Sequence, residues 1–174
     1  AKYFAAKGAK ISITYNSGRK DADRIVREIN KSSSHVAKCY QFNVENPKNL
    51  CQLFENSEMP DILFYYATPR IGKSDKGQFD LDKFHLFNSF YIVGFINVFE
   101  QLKQHIKHIF YPSTIFIETK PNGMWEYITS KTAGEFICNY IDKEFQDIYV
   151  FKPRIPKVMT DQTKGLLRLQ SNNT

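Results

Sequence analysis

Helical patterns alternate with short apolar runs along this chain of 174 residues. That alternation limits the folds open to it more than any other feature. Residues 1–7 (AKYFAAK) have apolar positions at helical spacing, and Gly8 offers a C-terminal stop. Residues 9–15 (AKISITY) alternate as a strand does, and Asn16, Ser17 and Gly18 make a turn. Residues 19–30 place Ala22, Ile25, Val26 and Ile29 on one stripe, which predicts an amphipathic helix. Residues 35–44 read as a second strand, and Pro47 as the first position of a short helix. Residues 61–66 (DILFYY) are nearly all apolar, the pattern of a strand buried on both faces. After a loop with Pro69, Gly72 and Gly77, residues 81–104 predict one long helix, apolar nearly all round. A strand at 108–111, a second long helix at 124–144 and a last strand at 147–151 follow, and the tail after Thr163 reads as weakly structured. The repetition predicts an α/β fold, a parallel sheet with helices on both faces, in a single domain over 1–174.

A hydrophobic content of 42% suits one domain with a real core. The formal charge is +6, but the basic residues are scattered, with no basic run and no basic–aromatic pattern, so no nucleic-acid partner is expected. The charge does favour a phosphorylated cofactor or an acidic partner. Cys39, Cys51 and Cys138 lack metal-ligand spacing. Cys39 and Cys138 lie in apolar contexts and read as buried thiols of a reducing compartment, the cytoplasm. His35, His85, His105 and His108 form no ligand pattern. No apolar run is long enough to span a membrane, and none is expected as a partner. A helix as apolar as 81–104 has more surface than one sheet face covers, so it and 124–144 are expected to pack on symmetry mates in a homodimer or larger homo-oligomer.

Tyr127 and Lys131 stand four residues apart in a stretch predicted to be helical, so both project from one face. A lysine ammonium beside a phenol favours the phenolate. The pair therefore predicts a tyrosine that exchanges its proton nearer neutrality than the ordinary value of about 10. A tyrosine acid with a lysine helper suits reduction of a carbonyl, where the nascent alkoxide needs a proton.

With the order of elements, Tyr127-x-x-x-Lys131 resembles the short-chain dehydrogenase/reductase family over nearly the whole chain, as a divergent, ketoreductase-like member. The resemblance implies a Rossmann-like fold that uses NAD(P). It implies that Tyr127 gives the proton and that Lys131 tunes the phenol and binds the cofactor ribose. It further implies a hydroxyl about thirteen residues before the tyrosine. Thr114 has that spacing, Ser113 is the commoner residue type, and both stay candidates. Such a hydroxyl would hold the substrate oxygen.

The family's cofactor contacts carry over to Asn16, Ser17, Arg19 and Lys20 after the first strand pattern, to Asn43 and Val44 after the second, to Ala67, to Lys131 and to Thr160, with Thr163 as the alternative. Arg19 and Lys20 stand where an acid would take the NAD ribose hydroxyls, which favours NADP(H) over NAD(H). The departures are several. The family's Asn-Asn-Ala-Gly matches residues 65–68 (YYAT), and its helix asparagine matches Tyr91, with Asn88 one turn earlier. The aspartate that touches adenine matches Asn43, and a proline-glycine matches Pro153 and Arg154. The family's first strand and glycine-rich turn would precede Ala1, so the expectation is an incomplete view lacking the first strand.

The resemblance implies an NADP(H)-dependent oxidoreductase that reduces a carbonyl, with a small-molecule or acyl-thioester substrate such as a β-ketoacyl thioester. The replaced asparagines support an alternative, a catalytically impaired relative acting as a docking domain or NADP(H) sensor in a larger assembly.

Overall fold

The computed structural model describes residues 1–32, 36–47, 50–55 and 57–156. Thr160 and Thr163 therefore lie outside the described residues. The chain packs as two compact units, Ala1–Pro60 and Asp61–Thr174.

In the first unit, α1 (Lys2–Ala6) ends at Gly8, whose φ of 89° only a residue without a Cβ adopts freely. β1 (Ser12–Tyr15) leads to α2 (Arg19–Asn30), and β2 (Lys38–Gln41) returns parallel to β1 with Ser12 opposite Lys38. The stripe on α2 buries as expected: Ile29 packs with Ala5 and Ala37, and Ile11, Ile13, Ile25 and Val26 close around them. Asn30 fixes the crossover, since its Oδ1 accepts from the Ala37 amide at 2.6 Å and its Nδ2 donates to the Ala37 carbonyl at 3.3 Å. The short helix expected at Pro47 is a 3₁₀ turn at Leu50–Phe54. Cys39 is half-buried rather than buried, and its thiol meets the Asp23 carboxylate at 3.3 Å.

In the second unit, β3 (Ile62–Phe64), β4 (His108–Phe110) and β6 (Tyr149–Phe151) form a parallel sheet in the order β3-β4-β6. Each strand pair is joined by a helical crossover, as parallel pairing requires. A second parallel pair extends the chain beyond the strands read from sequence: β5 (Ser113–Thr114) pairs with β7 (Arg154–Ile155). A short α5 (Phe116–Thr119) precedes α6 (Trp125–Glu144).

The helix expected over 81–104 is not uniform. α3 (Leu81–Asn88) passes into a π-helical segment, Ser89–Gly94, before α4 (Phe95–Leu102). A π segment widens the turn and disturbs the regular carbonyl pairing. Two buried tyrosines supply donors there: Tyr65 to the Phe90 carbonyl at 2.6 Å and Tyr111 to the Tyr91 carbonyl at 3.1 Å.

β3 is also not buried on both faces. Tyr65 is buried, but Ile62 and Tyr66 are exposed, and Tyr149 and Phe151 of β6 share that exposure. The opposite set, Tyr65, Ile109, Tyr111 and Val150, is buried with Phe95, Val98, Phe99 and Ile141.

α6 meets Tyr111 at Gly134. A Cβ there would lie 2.0 Å from the Tyr111 hydroxyl oxygen and 2.7 Å from the ring carbon that carries it. Gly134→Ala should therefore lower stability by up to about 2 kcal/mol net, because overpacking at about 1–3 kcal/mol is set against a helix-propensity gain of about 1 kcal/mol and a Cβ this close to the Tyr111 hydroxyl falls at the costly end. Urea unfolding checks this. Tyr111→Phe should restore only part of the loss, since the ring carbon stays too close.

Candidate active site

The site grows from the carboxyl ends of β3 and β4, where open α/β sheets bind ligands. β4 delivers Tyr111 and Pro112, then Ser113 and Thr114 of β5. α6 delivers Tyr127 and Lys131 from its first turns. α6 is set by Glu126, 1% exposed, whose Oε1 accepts from the Asp80 amide at 2.6 Å. Asp80 in turn caps α3 by accepting from the Lys83 amide at 3.0 Å. Ser130 ties the same helix to the site's far wall, donating to Asn88 Oδ1 at 2.8 Å. The loop after β3 is held against the turn before α6. The Ser74 amide donates to the Gly123 carbonyl at 2.8 Å, and Gly123, at φ 75°, leaves no room for a Cβ against the Ser74 carbonyl.

The two hydroxyl candidates separate cleanly. Thr114 is the hydroxyl that acts on the Tyr127 phenol, holding its pKa down against burial. Ser113 Oγ instead donates to Glu135 Oε1 at 2.6 Å. Glu135 is held by Arg154, whose Nε and Nη2 donate to its two oxygens at 2.9 and 2.7 Å. Arg154 also reaches Glu118 at 2.9 Å. This bidentate pairing, then burial of the opposite sign, then Ser113, leaves the Glu135 carboxyl below the usual carboxylate range. Arg154 replaces the glycine expected after the last strand, and it sits beside Ser113 because β5 and β7 pair at Ser113↔Arg154. No sequence signal marked Glu135 as the partner of Ser113.

Tyr127 and Lys131 share one face of α6, yet the ammonium is not what tunes the phenol. Burial pushes the Tyr127 phenol above its ordinary value, and the Thr114 bond opposes it. The lowered phenol expected from sequence is thus corrected. The reason is where Lys131 goes: its Nζ donates to the Pro112 carbonyl at 2.8 Å and lies 4.0 Å over the Tyr91 ring and 4.7 Å over the Tyr111 ring. Burial lowers the Lys131 pKa to about 7, with Cys138 and Glu135 opposing the shift. Tyr127 stays 8% exposed, its ring edge-on to Phe87, Tyr91 and Phe116.

Tyr91 and Thr68 were read from sequence only as departures. Both are part of the site, since the Tyr91 hydroxyl hydrogen-bonds Thr68 Oγ1. Ala67 is half-buried on the loop beside Thr68. Among the described residues no group of histidine, cysteine and carboxylate side chains can hold a metal ion. No helix among them is long and apolar enough to cross a membrane.

The remaining candidates lie in the first unit. Asn16, Ser17, Arg19 and Lys20 are exposed around the β1–α2 turn. The Asn16 carbonyl accepts from Gln41 Nε2 at 3.2 Å, and Arg19 meets Asp23 at 3.6 Å. Asn43 and Val44 are half-buried after β2, which ends beside β1 because the two strands are parallel. Asn43 Oδ1 accepts from the Glu45 amide at 3.0 Å.

Lys131 carries a linkage to pH. An unfolded lysine keeps its proton until about pH 10.4, whereas folded Lys131 releases it near 7. Between those values the unfolded state binds more protons, so this residue makes stability fall as pH drops from about 10 to about 7 and hold level below. The melting temperature of Lys131→Met relative to wild type should rise across that interval as pH falls. A difference that stays constant from pH 7 to 10 would contradict the lowered pKa of buried Lys131.

No family model matches the sequence, and no curated protein matches it. Solved structures do match. An alcohol dehydrogenase from the archaeon Thermococcus sibiricus, complexed with 5-hydroxy-NADP, superposes at a TM-score of 0.81 and 13% identity, over 94% of this chain and 72% of that one. The acetoin dehydrogenase of Enterobacter cloacae gives 0.80 at 14% identity, over 93% and 68%. FolM alternative dihydrofolate reductase 1 from Brucella suis, in complex with NADP, gives 0.78 at 14% identity, over 90% and 68%. The chain has the Rossmann-like α/β fold of short-chain dehydrogenase/reductase structures.

Proposed function

We propose that this protein is an NADP(H)-dependent oxidoreductase that reduces a carbonyl. The observation that carries the reading is the Thr114–Tyr127 hydroxyl pair at the carboxyl end of β4, with buried Lys131 one turn along α6. The residues fit a nicotinamide nucleotide. Among the described residues Lys131 donates to one acceptor, the Pro112 carbonyl, so N–H groups remain for ribose hydroxyls. The nucleotides carried by the archaeal and Brucella neighbours support the same cofactor class, and a Haemophilus influenza neighbour holds NAD. The reduced cofactor, when bound, supplies the hydride for the carbonyl carbon.

This chain's residues supply the rest. Thr114 donates to the carbonyl oxygen and holds it beside Tyr127. Tyr127 gives that oxygen its proton, and an alcohol is the product. A phenol raised by burial holds its proton at neutral pH, so the proton is in place to be given once the cofactor and substrate are bound. Arg19 and Lys20 take the 2′-phosphate. The charge of +6 favours acidic, phosphorylated substrate carriers, so β-ketoacyl thioesters are the substrates to try beside simple ketones.

One variant series tests the reading. Tyr127→Phe should cut ketone reduction by about 10²–10⁴-fold with NADPH affinity unchanged. Thr114→Val should also slow turnover, while Ser113→Ala should not. Fluorescence titration should show NADPH binding tighter than NADH, with Arg19→Ala weakening NADPH by about tenfold or more, as loss of a charged hydrogen bond would. The burial of Tyr127 favours a second reading, a nucleotide sensor or docking domain. NADPH binding without turnover on any carbonyl, and unchanged by Tyr127→Phe, selects that reading.

The assembly we propose is a homodimer through α4 and α6. Ile96, Phe136 and Tyr140 are exposed along one apolar groove there, side chains that a second copy would cover. Light scattering at micromolar concentration should give twice the monomer mass, and Phe136→Glu should give the monomer.

A further inference from the structure

We infer that Tyr91 is a positioning residue for Lys131, its ring holding the lysine ammonium in the place where the cofactor ribose is bound. The inference rests on the function proposed above. Lysine has a flexible four-carbon stem, so its ammonium has no preferred site unless neighbours provide one. Three groups do so here: the Pro112 carbonyl at 2.8 Å, the Tyr111 ring at 4.7 Å and the Tyr91 ring at 4.0 Å. Tyr91 is the nearer ring, and a cation over an aromatic face at that distance is attracted by its quadrupole.

Tyr91 is itself held from several sides. Its hydroxyl bonds Thr68, its ring stacks on Phe87 at 5.9 Å, and it stands in the π-helical segment between α3 and α4. The Tyr91 carbonyl accepts the Tyr111 hydroxyl at 3.1 Å, so one residue provides the floor of the slot and anchors its wall. The same ring meets Tyr127 edge-on at 5.7 Å. A single side chain therefore touches both groups of the α6 pair. Its ring and its backbone act separately: substitution at Tyr91 removes the floor but leaves the carbonyl that holds Tyr111.

The test is a double-mutant cycle on the full chain, read as NADPH dissociation constants at pH 6, where Lys131 carries its proton. Tyr91→Leu should weaken NADPH by about tenfold through loss of the ring. Tyr91→Phe, which keeps the ring, should restore affinity to within about threefold of wild type. In a Lys131→Met background, Tyr91→Leu should add nothing, because a residue that acts through another has no effect once that other is gone. Multiplicative losses would mean general structural damage and would overturn the inference. So would an unchanged affinity in Tyr91→Leu while Lys131→Met weakens binding.

A second measurement needs neither cofactor nor a folded Tyr91 variant. In the wild-type chain the methylene protons next to the Lys131 ammonium, assigned by their loss in Lys131→Met, should resonate upfield of the other lysines from the ring current of Tyr91. Their absence from that region overturns the inference even if Tyr91→Leu does not fold. If the upfield signal is present but the wild type binds neither NADPH nor NADH, the proposed function fails and takes the positioning role with it.

Discussion

The close approach of α6 to Tyr111 at Gly134 is the contact on which the rest of the site depends. With no Cβ at Gly134, the helix reaches the Tyr111 hydroxyl, which stays free to donate to the Tyr91 carbonyl. That one aromatic residue then joins the end of β4, the π-helical segment and α6. Lys131, three residues before Gly134, falls between the Tyr111 and Tyr91 rings, and Tyr127, one turn further back, falls against Thr114. Placement of the pair is thus a consequence of backbone proximity and not of attraction between the two groups themselves.

Burial sets the electrostatics of this arrangement. Removing water disfavours both charged forms, raising the phenol and lowering the ammonium. The polar partners are distributed accordingly. Thr114 serves the phenol, the Pro112 carbonyl and two rings serve the lysine, and Arg154 draws Glu135 and Ser113 into a separate network at the outer edge. A negative carboxylate is thereby neutralised beside an arginine instead of facing the lysine alone. The division explains why two adjacent hydroxyls, Ser113 and Thr114, have different partners. Ser113 meets Glu135 and Thr114 acts on Tyr127, eight residues earlier on the same helix.

The parallel α/β class, the α2 stripe, the two long helical regions and the shared face of Tyr127 and Lys131 were legible in the sequence. Each rests on local periodicity, which the chain carries without reference to distant residues. Strand ends read less well. β2 and β3 are shorter than their apolar runs, because ladder pairing depends on the partner strand. β5 and β7 are two residues each and have no periodicity to read.

Sequence alone thus determined the order of the longer helices and strands and which residue types lie four apart on α6. Only the tertiary structure decided that Thr114 and not Ser113 meets the phenol, that Lys131 faces two rings instead of Tyr127, and that a π segment interrupts the helix at Tyr91. The reason is physical. Periodicity fixes a side chain's direction on its own element, whereas partner choice and pKa depend on groups brought near by other elements and on the water they exclude.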